Sequence, residues 1–129
     1  MSLILNKDFY ARPALTVATE LLGKFLVKRD GDNEAAVMIQ EVEVYDGFED
    51  RASHAYKGKT SRNSMMFGPA GFWYVYLIYG MYWMLNIVTS EENYPSAILI
   101  RGAGDFDGPG KLTKGIKIDK SLNGKKAIP

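Results

Sequence analysis

Phe72-Trp73-Tyr74-Val75-Tyr76-Leu77-Ile78-Tyr79-Gly80-Met81-Tyr82-Trp83-Met84-Leu85-Asn86-Ile87-Val88 is the stretch on which the fold turns. Two apolar, aromatic-rich runs, 72–78 and 82–88, flank Gly80-Met81 and predict a β-hairpin. Gly at the first central position of a two-residue loop suits a type II′ turn, which would set Tyr79 opposite Tyr82. Gly80, Asn86 and the tyrosines interrupt the apolar run, which is too short to span a membrane. Tyr74 and Tyr76 share one strand face. Most of these rings belong to a core, but a tyrosine beside an exposed hairpin tip is costly to leave in water unless it has somewhere to insert. A wedge in an unstacked nucleic-acid duplex is one such use, and a protein contact is the other.

N-terminal to this hairpin, residues 13–22 read as a helix. Pro13 fits its first turn, Gly23 its stop, and Ala14, Val17, Leu21 and Leu22 recur at helical spacing. Lys24–Arg29 predicts a short strand, 30–33 (Asp-Gly-Asp-Asn) a turn, and Ala35–Tyr45 a longer strand. The 46–71 region is irregular, and a loop that long within a compact domain is usually functional or disordered. C-terminal to the hairpin, Ala97–Arg101 reads as a strand, Gly102–Gly110 as a connection and Lys111–Ile116 as a short helix. Together these predict one α+β domain over residues 1–129. It consists of an antiparallel curved sheet with a protruding β-hairpin and few helices.

Within the longer strand, Glu41-Val42-Glu43-Val44-Tyr45 places Glu41, Glu43 and Tyr45 on one face and the valines on the other. A carboxylate held beside an aromatic wall is partly desolvated and can act as a general base on water. From this pentapeptide alone the simpler reading is an exposed face with solvated acids, and Glu41 is as eligible as Glu43. His54 follows in the loop. A lone histidine with no metal or nucleophile partner in view is more often a structural residue than a catalyst.

Composition narrows the chemistry. The 129 residues are 47% hydrophobic, 24% charged and 12% aromatic, a globular balance. There is no cysteine and one histidine, which removes thiolate metal sites, cysteine nucleophiles, disulfides and zinc-deaminase chemistry. Net charge is only +1, but residues 109–129 hold six lysines against Asp119, a net +5, while 1–108 carry 10 basic and 14 acidic side chains, a net −4. A basic end on a slightly acidic body suits either a phosphate-contacting patch or a solvated tail. The N-terminus has no signal-peptide pattern, so a soluble intracellular protein (cytoplasm or nucleoid, or nucleus in a eukaryote) is expected.

These features in this order resemble the alkyladenine (3-methyladenine) DNA glycosylases. The resemblance rests on Glu41-x-Glu43-x-Tyr45, Ser53-His54, Arg62-Asn63, Met66-Phe67, the Tyr74-Val75-Tyr76-x-Ile78-Tyr79-Gly80-Met81-Tyr82 run with Asn86, and Leu99-Ile100-Arg101. It continues in Gly108-Pro109-Gly110-Lys111-Leu112 and Asn123-Gly124. The resemblance implies a hydrolase of N-glycosyl bonds that flips alkylated or deaminated purines from double-stranded DNA. It would act as a monomer, without metal or cofactor and without a Schiff-base lyase step.

By the same resemblance Glu43 would deprotonate the attacking water and Arg101 would help hold it. Tyr45, His54 and Tyr76 would stack on the flipped base, and Asn86 would narrow the pocket against the guanine amino group. Tyr79, as wedge, with Met81, Arg62 and Lys111 would contact DNA. The chain is shorter than the family pattern after Arg101 and again at its C-terminus, where missing strands would close one wall of the base pocket. A catalytically impaired DNA-damage-binding module of the same family is the alternative expectation.

Overall fold

The computed structural model describes residues 4–48, 50, 58–61 and 63–129. His54 and Arg62 lie outside the described residues. A short helix α1 (Lys7–Tyr10) opens the fold, with the Asn6 side chain accepting from Phe9 N at 3.1 Å. Helix α2 (Ala14–Leu21) follows, and the Pro13 carbonyl accepts its first-turn bond from Val17 N at 3.1 Å. Ala14, Val17, Ala18 and Leu21 are its buried positions, the expected helical stripe. Gly23, at φ +90°, ends the helix in a conformation costly for any side chain, and its N–H bonds Ile39 O at 2.9 Å. The helix stop is thereby stitched to the sheet.

The strands are β1 (Phe25–Asp30), β2 (Asn33–Asp46), β3 (Trp73–Ile78), β4 (Tyr82–Val88), β5 (Ser96–Ala103) and β6 (Phe106–Asp107). They form a curled antiparallel sheet in the order β1-β2-β5-β4-β3, with β6 paired to β5. The expected α+β class with an antiparallel curved sheet and few helices is what the chain adopts. Helix α3 (Pro109–Gly115) packs on β4 and β5, and 3₁₀ turns occupy Ser64–Phe67 and Lys120–Leu122. Helix α1, strand β6 and both 3₁₀ turns are too short to leave a periodic signal in the sequence.

Side chains alternate across this sheet into two cores. On one face Val75, Leu85, Ile87, Ile98 and Ile100 pack with α2 and α3 through Val17, Leu21, Leu112 and Ile116. On the other, Tyr74, Tyr76, Met84, Val88, Ala97 and Leu99 pack with Met66 and Phe67 of the first 3₁₀ turn. Each fully buried aliphatic side chain contributes about 1.5–3 kcal/mol. The helix-backed core therefore makes the sheet a rigid floor for whatever the second face carries. Among the described residues no helix is long and apolar enough to cross a membrane.

The β3–β4 tip departs from the expected two-residue loop. Ile78 pairs with Tyr82, leaving Tyr79, Gly80 and Met81 between them, and Met81 N bonds Ile78 O at 3.0 Å. Tyr79 (φ +52°) and Gly80 (φ +64°) are both left-handed, the type I′ signature rather than II′. The position of Gly80 in the sequence fits either turn; what separates them is whether Tyr79 accepts a positive φ, and it does.

Candidate active site

The second sheet face carries the polar groups. Register places Glu43 beside Leu99, Leu99 beside Asn86 and Asn86 beside Tyr74, one continuous row across β2, β5, β4 and β3. Tyr45 stands two residues along β2 and packs against the same aromatic core, while Val42 and Val44 turn to the helix side. The alternation read from Glu41–Tyr45 thus holds for 42–45.

Upstream the phase slips. Val42 pairs with Ile100 but Glu41 with Gly102, so Arg101 is left without a partner in a bulge. The buried positions record the slip on both strands: Ile39 and Val42 on one, Ile100 and Ala103 on the other, all face the helix-backed core. The Arg101 carbonyl accepts from Gly108 N at 2.9 Å, which fixes the bulge from behind.

Around Glu43 two side chains converge, and one of them also reaches Glu41. The Tyr45 hydroxyl donates to Oε2. Arg101 donates through an Nη to Oε1 at 3.4 Å and through Nε to Glu41 Oε1 at 3.0 Å. Burial first, then the bond to Glu43, push the Tyr45 phenol far above its ordinary range, so it remains a donor. The bond to Glu41 pushes Arg101 upward in turn, keeping it a cation. A hydrogen bond to a charged group contributes about 1.5–3 kcal/mol, so Tyr45 holds Glu43 firmly. Tyr76, 8% exposed, lies close enough to Tyr45 to raise its phenol electrostatically, and its ring sits 5.1 Å from that of Tyr74.

Asn86 is 1% exposed. Its Nδ2 donates to Tyr74 O and Met84 O, both at 3.3 Å, and among the described residues its Oδ1 has no partner. Glu43, Arg101, Tyr45, Tyr76 and Asn86 therefore share one sheet face. Tyr79 and Met81 do not join them; at the hairpin tip they are 86% and 64% exposed. Lys111 is exposed on α3, next to Gly110, where an added Cβ would fall 2.7 Å from Tyr82 Cδ1. That close approach seats the start of α3 against Tyr82, the first strand residue after the hairpin tip. The bond between Arg101 and Glu41 is the site feature that sequence reasoning missed.

Residues 8–107 match the methylpurine-DNA glycosylase (MPG) family model. The chain belongs to the methylpurine-DNA glycosylase family. The matched span holds the whole Glu43 row, Arg101 and the hairpin. A Legionella pneumophila (strain Corby) relative is 49% identical over 126 residues, 92% of this chain and 69% of its own. A Wolbachia pipientis wMel relative is 50% identical over 127 residues, covering 93% and 68%, and one from Methanocella arvoryzae is 44% identical over 141 residues, covering 94% and 70%. Each bears the name "Putative 3-methyladenine DNA glycosylase". Within this glycosylase family member, the position of Glu43 beside Tyr45 and Arg101 gives a carboxylate with one donor on each oxygen and lone pairs left for a third.

Proposed function

We propose that residues 1–129 form one DNA glycosylase domain that takes an alkylated or deaminated purine out of duplex DNA and hydrolyses its N-glycosidic bond, acting as a monomer. The observation that carries the reading is the convergence of Tyr45 and Arg101 on the Glu43 carboxylate in a family member of this kind. Glu43 and Asn86 stand two strand spacings apart, roughly 10 Å, with Leu99 between them. A flat bicyclic base would span that interval, its sugar toward Glu43 and its far edge toward Asn86, once the aromatic face that covers Leu99 admits it. Tyr45, Tyr76 and, from the loop, His54 would supply aromatic faces, which attract an alkylated purine because it carries positive charge.

In the reaction the water oxygen bonds to C1′ as the C1′–N bond breaks, and its electron pair leaves with the base. The water proton passes to Glu43. The transition state is oxocarbenium-like, so the Glu43 carboxylate also stabilises developing charge on the sugar. Arg101 would orient the water, and the attacking group being water rather than an amine makes the enzyme monofunctional. Tyr79 would fill the gap left in the stack, with Met81, Arg62 and Lys111 on the surrounding strand and its phosphates. Damage weakens pairing and stacking, which lowers the cost of flipping.

The test is base release from a duplex carrying one hypoxanthine or ethenoadenine. Wild-type protein is expected to release the base, and Glu43→Gln to bind the lesion without releasing it. Turnover retained in Glu43→Gln would overturn the assignment of the base. Lesion-dependent binding without release in the wild type would instead identify a damage-binding module.

A further inference from the structure

We propose that Glu41 is a positioning residue that holds the Arg101 guanidinium in its place beside Glu43. The inference rests on the reading of Glu43 as the general base. Arg101 is the residue its strand leaves unpaired, so the sheet ladder does not dictate where its side chain points. Something else must aim it. The shorter of its two ionic contacts is to Glu41, Nε to Oε1 at 3.0 Å, against 3.4 Å from an Nη to Glu43 Oε1.

The pair contributes little to the fold. The Glu41 and Arg101 side chains are 58% and 39% exposed, and ion pairs that open to water stabilise a fold little. Its consequence is geometric. A guanidinium free to choose takes a single carboxylate with two parallel N–H···O bonds. On Glu43 that arrangement would occupy the lone pairs a water needs and neutralise the base. Glu41 prevents it by taking the Nε edge, so that Arg101 offers Glu43 only one long bond and keeps its remaining N–H groups for the water. The two acids of the Glu41-x-Glu43 pair thus do different work: one is the base, and the other holds the cation partly away from it.

The test uses the full chain and a duplex oligonucleotide carrying one hypoxanthine. Single-turnover base release and equilibrium duplex binding are measured for Glu41→Ala, Glu41→Gln and Arg101→Met, and for Glu41→Ala combined with Arg101→Met. Misplacement of a group beside the reacting atoms costs roughly 10- to 100-fold, so Glu41→Ala is expected to lose that much in rate with binding unchanged. Glu41→Gln keeps an acceptor for Nε and should fall between Glu41→Ala and the wild type. In the Arg101→Met background Glu41→Ala should cost nothing more. Wild-type rates in Glu41→Ala, losses that multiply in the double variant, or a loss confined to binding would each overturn the proposal. Glu43→Gln run alongside separates the two levels. If it still releases base, the reading of Glu43 fails and the role of Glu41 with it; if it is silent while Glu41→Ala is fully active, the role of Glu41 alone fails.

Discussion

The Tyr45 phenol donates its hydrogen to Glu43 Oε2 from two residues along the same strand face. The ring packs on the aromatic core while the hydroxyl reaches back to the carboxylate, so one side chain provides both a wall and an anchor. Tyr45→Phe separates the two: the wall remains and the anchor is lost. With a charged hydrogen bond contributing about 1.5–3 kcal/mol, base release is expected to fall roughly 10-fold or more while lesion binding is kept. Single-turnover kinetics beside a gel-shift titration distinguish this from a purely stacking role, for which Tyr45→Phe would leave both rate and binding unchanged.

Tyr79 combines a positive φ of 52° with 86% exposure. A bulky residue there is strained by about 1–2 kcal/mol, and its ring gains nothing from the fold. Strain and exposure together point to a use outside the chain. Tyr79→Gly relieves the strain but loosens the unfolded chain, so thermal stability should stay level or rise by up to about 1 kcal/mol. Affinity for lesion-containing duplex should drop, and by much more than in Lys111→Ala. Calorimetry and duplex binding on the same two variants decide it. Equal binding losses in both would argue against a wedge.

Much of this was legible in the sequence because apolar periodicity is strong in α2, β4 and β5. The helix stripe of Ala14, Val17 and Leu21, the stop at Gly23 and the span Tyr82–Val88 were all readable. Glu43 could not be preferred to Glu41 from strand alternation, which puts both on one face. What makes them differ is the Tyr45 hydroxyl on Glu43 and the Arg101 Nε on Glu41, and the irregularity beside Arg101 is local, since Ile39 meets Ala103 in the same register as Val42 meets Ile100. Its trace was present: Ile39, Val42 and Val44 on one strand, and Ile98, Ile100 and Ala103 on the other, break a period of two at matching places. A phase slip in two strands only becomes meaningful once they are known to be neighbours, and that is a tertiary fact. The turn at Tyr79 differs from the type II′ expectation for a similar reason. Sequence preference assigns positive φ to glycine and cannot see that an exposed tyrosine accepts it.

Tyr10, 6% exposed and edge-on to Phe9 at 5.1 Å, has its phenol pushed up by burial to about 12. The folded state then holds this proton more tightly than the unfolded chain, whose phenol titrates near the ordinary value of about 10. The associated stability is complete below pH ~10 and is lost as pH rises through about 12. At roughly 1.4 kcal/mol per unit, Tyr10 accounts for an alkaline loss on the order of 2–3 kcal/mol. Urea denaturation should give a midpoint that falls more steeply above pH ~10 for the wild type than for Tyr10→Phe. Parallel curves for the two proteins would show that Tyr10 is not the group responsible.

Asn86 is the test of selectivity. It is 1% exposed, in the row that runs from Glu43 through Leu99 to Tyr74, with its Nδ2 tied to two backbone carbonyls at 3.3 Å. Those bonds are long, and its Oδ1 has no partner among the described residues, a state that costs about 1–3 kcal/mol. Asn86→Ser gives up two weak bonds and exchanges the unpaired amide oxygen for a hydroxyl that can turn its hydrogen to a nearby carbonyl, so stability should move by no more than about 1 kcal/mol in either direction. The space released lies where the far edge of a bound purine would reach. A guanine-type lesion carries an additional amino group at that edge, and one added group in a fitted pocket is worth about 1–3 kcal/mol. The rate of base release from an alkylated guanine, relative to that from hypoxanthine, should therefore rise roughly 10-fold in Asn86→Ser. Competition between the two lesions in one reaction measures that ratio without reference to enzyme concentration. A ratio that stays at the wild-type value, in a variant as stable as the parent, would remove Asn86 from the base pocket and leave it as a bridge between β3 and β4.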